Sequence, residues 1–252
     1  MTLTSGRLPD YLVIGAQRAG TTTFYELLRM HPLIDRAQRK ELHFFDRDYE
    51  KGEAYYRSLF PPRTTINGRP TITGEATPYY LYHPLVAQRA HALVPHAKLF
   101  VLLRNPVDRA YSHWRFQVAR GNETLSFEEA IDAEEGRLAR EDPDGYAHRR
   151  FSYQARGIYA PQLARWMELF GMEALRIFKA EAFFKRTDNV LRRAQRHLGV
   201  PVRRLPLSGR PAQRNSTGEH PPMNPKTRRK LTDYFRPYNE ELYEMLGRDF
   251  GW

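Results

Sequence analysis

From Gly15 to Thr22 the chain reads Gly-Ala-Gln-Arg-Ala-Gly-Thr-Thr, a glycine-bounded loop with one arginine inside it and hydroxyls behind it. Ahead of it, Tyr11 to Ile14 is a short apolar run of the kind that forms a buried strand. After it, Phe24, Leu27 and Leu28 recur at helical spacing from Thr21 onward. Strand, loop and helix start in that order make an anion cradle, because exposed backbone N–H groups and the positive end of a helix face whatever the loop encloses. The glycines keep the spacing of the nucleotide pattern G-x-x-x-x-G-K-[ST], but Thr21 stands where that pattern has its lysine. The nearest cation is Arg18. Such a loop can hold a phosphate without the lysine that reaches the γ-phosphate in Walker-type NTPases; a ligand-free strand–helix turn would satisfy the same spacing.

Two further stretches carry chemistry. Arg39-Lys40-Glu41-Leu42-His43-Phe44-Phe45-Asp46 places carboxylates and an imidazole beside two aromatic rings, as the wall of a pocket would, or as a loop pinned to the core by its phenylalanines. Lys98 to Leu103 is apolar without alternation after its lysine, as expected of a parallel strand covered on both faces. It ends in Arg104-Asn105-Pro106, where P-loop hydrolases commonly have a Mg²⁺-holding aspartate. A cation at the C-terminal end of such a strand sits where α/β folds bind ligands, poised for an anion rather than a metal.

The elements that must position these residues alternate. Helical patterns are expected over Tyr49–Phe60, Pro84–Val94, after Pro106 with Tyr111, Ser112 and Trp114, over Gly157–Phe170, Asn189–Leu198 and Thr227–Leu246; strands over Thr71–Pro78 and Leu175–Ala180. The expected fold is α/β, a single P-loop-like domain over 1–252 with a central, mostly parallel sheet flanked by helices. Residues 120–156 are charge-rich and read as a surface insertion beside the binding site; residues 203–225, rich in Pro, Gly, Ser and Asn, read as a long functional loop.

The balance of Lys+Arg 40 against Asp+Glu 29, net +11, favours an anionic ligand, an acidic acceptor or nucleic acid. No helix-turn-helix or zinc-ligand spacing supports nucleic acid. The chain has no cysteine, which excludes disulfides and thiolate metal sites. No apolar run approaches the roughly 18 residues of a spanning helix, and residues 1–10 lack a signal pattern. The expectation is a soluble, cytoplasmic protein without stable membrane insertion.

Taken together, Gln17-Arg18-Ala19-Gly20-Thr21-Thr22, the segment Lys40 to Asp46, and Arg104-Asn105-Pro106 with Ser112 eight residues after the arginine resemble sulfotransferases. The nearest branch is the heparan sulfate N- and 3-O-sulfotransferase type with its bacterial relatives. Gly157-Ile158-Tyr159 with Leu163 and Trp166, and the stretch from Arg214-Asn215 to Pro221-Pro222-Met223, look like that branch too. The resemblance covers nearly the whole chain.

It implies 3′-phosphoadenosine 5′-phosphosulfate as donor, adenosine 3′,5′-bisphosphate as product, and no metal. By that resemblance Gln17, Arg18, Ala19, Gly20, Thr21, Thr22 and Thr23 would cradle the 5′-phosphosulfate, and Arg104 and Ser112 would bind the 3′-phosphate. Arg214 and Asn215 would cover the same end of the nucleotide. Glu41 would be the catalytic base, with His43 an alternative base or the residue that holds Glu41, and Arg18 the catalytic cation. The acceptor would offer a hydroxyl, or failing that an amine, on a small molecule, a lipid-linked intermediate or a carbohydrate. Arg18 replaces a frequent lysine, Ala76 a lysine of the animal 3-O enzymes, and the loop after residue 210 is poorer in lysine and glycine. The acidic-polysaccharide signature is therefore missing, and an acceptor other than heparan sulfate itself is expected. The competing readings are a P-loop nucleotide or small-molecule kinase, which needs the Walker lysine and Mg²⁺, and a non-catalytic nucleotide- or nucleic-acid-binding module.

Overall fold

The apolar runs become the centre of a parallel sheet. In the computed structural model, which describes residues 6–142, 144–206 and 222–252, every residue of β1 (Tyr11–Gly15) is buried. A strand covered on both faces needs no polar alternation, which is why these runs read as continuous. Helix α1 (Thr21–Leu28) follows, then the short edge strand β2 (Ile34–Arg36). A π-helical turn (Phe44–Asp48) and a 3₁₀ turn (Tyr49–Lys51) lead into α2 (Gly52–Ser58). A two-stranded antiparallel ribbon, β3 (Thr65–Ile66) and β4 (Arg69–Pro70), turns at Asn67-Gly68, both with positive φ. Next come β5 (Ile72–Ala76), α3 (Val86–Leu93) and β6 (Lys98–Leu103).

Among the described residues the main sheet has five strands in the order β2-β5-β1-β6-β7, all parallel, with β7 at Leu175–Lys179. The chain runs from β1 out to β2, returns through β5, and crosses to β6 on the other side of β1. The strand order therefore reverses around β1, and the crevice at the C-terminal ends of strands at such a switch point is where open α/β sheets bind ligands. Val13 lies opposite Ala76 in this sheet, so the ends of β1 and β5 are neighbours.

The described residues group into two compact units, divided at Leu103/Arg104 and at Arg165/Trp166. The first holds the sheet with α1 to α3, and the later helices α9 (Ala180–Lys185) and α10 (Thr187–His197). Phe24 of α1 packs on Phe100 of β6, Phe178 of β7 and Phe183 of α9, with ring centroids 5.2, 5.8 and 5.7 Å away.

The second unit contains α4 (Pro106–Ala119), the short helices α5 (Phe127–Asp132), α6 (Glu134–Leu138) and α7 (Tyr146–Arg150), and the terminal α11 (Pro225–Leu246). Helix α8 (Tyr159–Phe170) divides between the units after Arg165. The core of the second unit gathers Val107, Ala110, Phe127, Ile131, Tyr153, Leu231 and Phe235. The 120–156 stretch is less superficial than its charge suggests. Glu134 is buried and accepts the backbone N–H groups of Gln154 and Ala155 at 2.6 and 2.8 Å, while buried Glu123 receives Arg137 and the Tyr153 hydroxyl. These carboxylates take up donors that would otherwise be left unsatisfied inside. Arg214, Asn215 and most of the 203–225 loop lie outside the described residues.

Candidate functional site

The loop after β1 has the geometry expected of an anion cradle. Gly20 caps α1 in the left-handed region at φ 90°, and no side chain caps the helix. The first-turn N–H groups of Thr21, Thr22 and Thr23 have no acceptor within the helix by its geometry, so they face the loop. Gly15 is required by space and Gly20 by its backbone angle. A Cβ on Gly15 would come within 2.6 Å of the Leu81 side chain, and one on Gly20 within 2.6 Å of the Phe184 ring. Arg18 sits inside the loop at φ 70°, partly exposed. Backbone bonds from Ala16 N–H to the Leu102 carbonyl (2.7 Å) and from Ala19 N–H to the Ala16 carbonyl (3.2 Å) hold the loop's shape. The sequence-predicted residues 17–23 are thus one contiguous structure, and their donor set fits an anionic group.

Glu41 and His43 come together on the segment beside the end of β5, tied there by the Glu41 N–H to the Ala76 carbonyl (3.1 Å). His43 Nδ1 meets Asp46 Oδ2 at 2.8 Å, and His43 Nε2 lies 3.7 Å from Glu41 Oε2. Lys40 Nζ also bonds the Glu41 carboxylate. Exposure rises along this line: the Asp46 side chain is 0% exposed, His43 25% and Glu41 44%. Glu41 is therefore the most exposed member of the line.

Burial alone would lower the His43 pKa, but the hydrogen bond to Asp46 and the nearby Glu41 carboxylate outweigh it and raise it to about 9. Burial would raise Glu41, yet His43 and Lys40 together hold it at about 2. At neutral pH His43 is an imidazolium and Glu41 an ionised carboxylate. An imidazolium cannot accept a proton, whereas the ionised Glu41 can.

Among the described residues, the non-glycine positions with positive φ are Arg18, Glu41, His43 and Asn67. Asn67 belongs to the ribbon turn, where asparagine is at home. The other three are residues singled out from sequence as catalytic, and each holds a conformation costing about 1–2 kcal/mol. Backbone strain of this kind persists only where the surroundings impose it, and it concentrates at functional sites.

Arg104 and Ser112 belong to the second unit, Arg104 directly after β6 and Ser112 on α4, both partly exposed. Asn105 between them caps α4, its side-chain oxygen accepting the N–H groups of Val107 and Asp108 at 3.0 and 3.4 Å. The Arg104 carbonyl accepts the Tyr159 hydroxyl at 2.8 Å, fixing the backbone from which its side chain projects. Asp46 was not singled out from sequence. Its spacing of three from His43 was the available signal, and the π-helical turn makes that spacing a contact.

Residues 8–215 match the family model described as a sulfotransferase domain. The chain belongs to the sulfotransferase family. It is 33% identical over 98% of its length to mouse heparan sulfate glucosamine 3-O-sulfotransferase 3B1, of which it spans 66%, slightly under two thirds. It is 32% identical over 98% of its length to the human 3-O-sulfotransferase 6, spanning 74% of that protein. A sulfotransferase structure from Alicyclobacillus acidocaldarius superposes with a TM-score of 0.80 at 31% identity, covering 97% of this chain and 98% of that one. A mouse sulfotransferase, SULT7A1, solved in complex with PAP, shares the fold at TM-score 0.50 and 15% identity, covering 91% of this chain and 65% of that one. Among the described residues no helix of this sulfotransferase is long and apolar enough to cross a membrane.

Proposed function

We propose that this sulfotransferase moves a sulfuryl group from 3′-phosphoadenosine 5′-phosphosulfate to a hydroxyl of a carbohydrate or other small acceptor, with Glu41 as the base. The observation that carries the proposal is the Asp46–His43–Glu41 line, which ends in an exposed carboxylate beside the end of β5, next to the strand that feeds the anion loop. The loop amides of residues 17–23 and the α1 N-terminus would hold the phosphosulfate, with Arg18 adding its charge. As the acceptor oxygen bonds to sulfur and the bond from sulfur to the phosphate oxygen breaks, negative charge grows on the leaving phosphate. Donors fixed at that point stabilise the transition state more than the ground state. The acceptor's proton passes to Glu41. His43, held by Asp46, orients the Glu41 carboxylate and keeps it ionised until the proton arrives; its raised pKa argues against His43 itself being the base.

Arg104 and Ser112 are proposed to bind the 3′-phosphate that distinguishes this donor from other adenine nucleotides, and Arg214 and Asn215 to cover that end. We read both units as one sulfotransferase domain, a reading supported by a family match that draws on residues of each. The similarity to the 3-O-sulfotransferases favours a sugar hydroxyl as acceptor.

The test is Glu41→Gln with labelled donor and a panel of amino-sugar oligosaccharides, phenols and aliphatic alcohols. Turnover should fall by roughly 10²–10⁴-fold, the usual contribution of a general base, with the product bisphosphate bound as tightly as before. Retained turnover would remove Glu41 from the role.

A further inference from the structure

Glu75 lies in the middle of the first unit with no exposed surface, and three hydroxyls converge on it. The Tyr56 hydroxyl donates to Oε1 at 2.6 Å, the Tyr80 hydroxyl to Oε1 at 3.0 Å and Thr77 Oγ1 to Oε2 at 2.7 Å. A hydroxyl has one proton and two lone pairs, and an ionised carboxylate only accepts. With its one proton directed at Glu75, each of the Tyr80 and Thr77 hydroxyls offers its oxygen to other groups only as an acceptor. The groups they accept are consecutive backbone N–H groups of the proposed catalytic segment. Tyr80 Oη accepts Phe44 N–H at 2.9 Å and Phe45 N–H at 3.4 Å, and Thr77 Oγ1 accepts His43 N–H at 3.4 Å.

We propose that Glu75 is a positioning residue for the Glu41–His43–Asp46 segment, acting through the hydroxyls of Tyr80 and Thr77; this rests on the reading of Glu41 as the base. The carboxylate fixes the direction of every hydrogen bond in the cluster. His43, held at φ 54°, and the turn that brings Asp46 to it are anchored by these bonds. A buried carboxyl is costly to keep, and burial pushes the Glu75 pKa up while the three hydroxyl donors pull it down. Packing alone does not call for a carboxyl there, since burying one is costly unless its oxygens are hydrogen-bonded. The carboxyl is explained by the acceptor oxygens it offers to all three hydroxyls. Glutamine at this position would present an N–H₂ group needing an acceptor, and the acceptors in reach are the same hydroxyl oxygens. That group would compete with the Phe44 and Phe45 N–H groups for the Tyr80 oxygen, or with the His43 N–H for Thr77 Oγ1.

The experiment compares Glu75→Gln and Tyr80→Phe with the wild type by residue-resolved amide exchange, by calorimetric binding of adenosine 3′,5′-bisphosphate, and by kcat on an amino-sugar oligosaccharide probe. In Glu75→Gln the His43, Phe44 and Phe45 amides should exchange at least about tenfold faster, with β1 and α1 amides unchanged, bisphosphate affinity within about twofold, and kcat down at least about tenfold. Tyr80→Phe should release Phe44 and Phe45 but leave His43 protected by Thr77, a selectivity that general loss of stability would not give. If Glu75→Gln fails to fold, Tyr80→Phe carries the test. Unchanged exchange at residues 43–45, or equal acceleration throughout the sheet, overturns the proposal. Faster exchange at these residues with kcat unchanged supports the positioning and instead removes Glu41 from the role of base.

Discussion

Asp46→Asn removes a charge and little else, which makes it a sensitive probe of the imidazolium at the centre of the site. The Asp46 side chain is fully buried and meets His43 Nδ1 at 2.8 Å. Asparagine keeps the size and one acceptor oxygen. Burial works to lower the His43 pKa, yet the bond to Asp46 leads the opposing causes, and the group rises from 6.5 to about 9. A rise of that size corresponds to roughly 3 kcal/mol at 1.36 kcal/mol per unit, shared among its partners. The ring is a quarter exposed and the Glu41 contribution is screened by water, so the share of Asp46 is about 1–2 kcal/mol. The sign follows from the direction of the shift. A group whose folded pKa is raised contributes its full stability below the unfolded value, 6.5, and loses it as the pH climbs through about 9. In urea unfolding, Asp46→Asn should therefore be less stable than wild type by about 1–2 kcal/mol near pH 6, with the gap closing by about pH 10. A gap that stays constant with pH, or no gap at pH 6, would show that His43 is not held as an imidazolium by Asp46.

Two other substitutions probe the parts proposed to bind the donor. Gly20→Ala places a Cβ at φ 90° and within 2.6 Å of the Phe184 ring, so stability should fall by about 1–2 kcal/mol and bisphosphate binding by at least about tenfold; unaltered binding would mean the α1 N-terminus is not the anion site. Arg104→Ala should weaken adenosine 3′,5′-bisphosphate by about tenfold or more while changing AMP little, since loss of a hydrogen-bonded charge on the extra phosphate costs about 1.5–3 kcal/mol. Equal losses for both ligands in parallel titrations would sink the 3′-phosphate assignment.

The parts of the fold that were legible in the sequence are those where one physical cause dominates. Tyr11–Gly15 and Lys98–Leu103 are buried on both faces, so their composition announces a parallel sheet. Leu163, Trp166 and Phe170 recur at helical spacing and are all buried on α8. Edge strand β2 was missed because its three residues, Ile34-Asp35-Arg36, are too few and too polar to show a pattern. The ribbon of β3 and β4 was missed because its four residues are exposed, although Asn67-Gly68 is a recognised hairpin signal. Charge misled in the second unit, where Glu123 and Glu134 read as surface residues and are instead buried against backbone donors. At the candidate site, Glu41 and His43 were visible as residue types. The part of Asp46 was not, because a π-helical turn and not a regular helix sets its contact. Glu75 was hidden for another reason: a lone glutamate in Thr71–Pro78 reveals nothing until Tyr56, Thr77 and Tyr80 are seen to converge on it.

The measurement that bears most directly on the proposed chemistry is calorimetric titration with adenosine 3′,5′-bisphosphate, AMP and ATP·Mg²⁺, the two metal-free ligands in chelated buffer. A donor site built around a 3′-phosphate predicts tight binding of the bisphosphate, with AMP and ATP·Mg²⁺ each weaker by at least about tenfold, or about 1.4 kcal/mol. Preference for ATP·Mg²⁺ would contradict the sulfuryl-transfer account in favour of a kinase, and binding of none of the three would leave the protein without the donor site proposed for it.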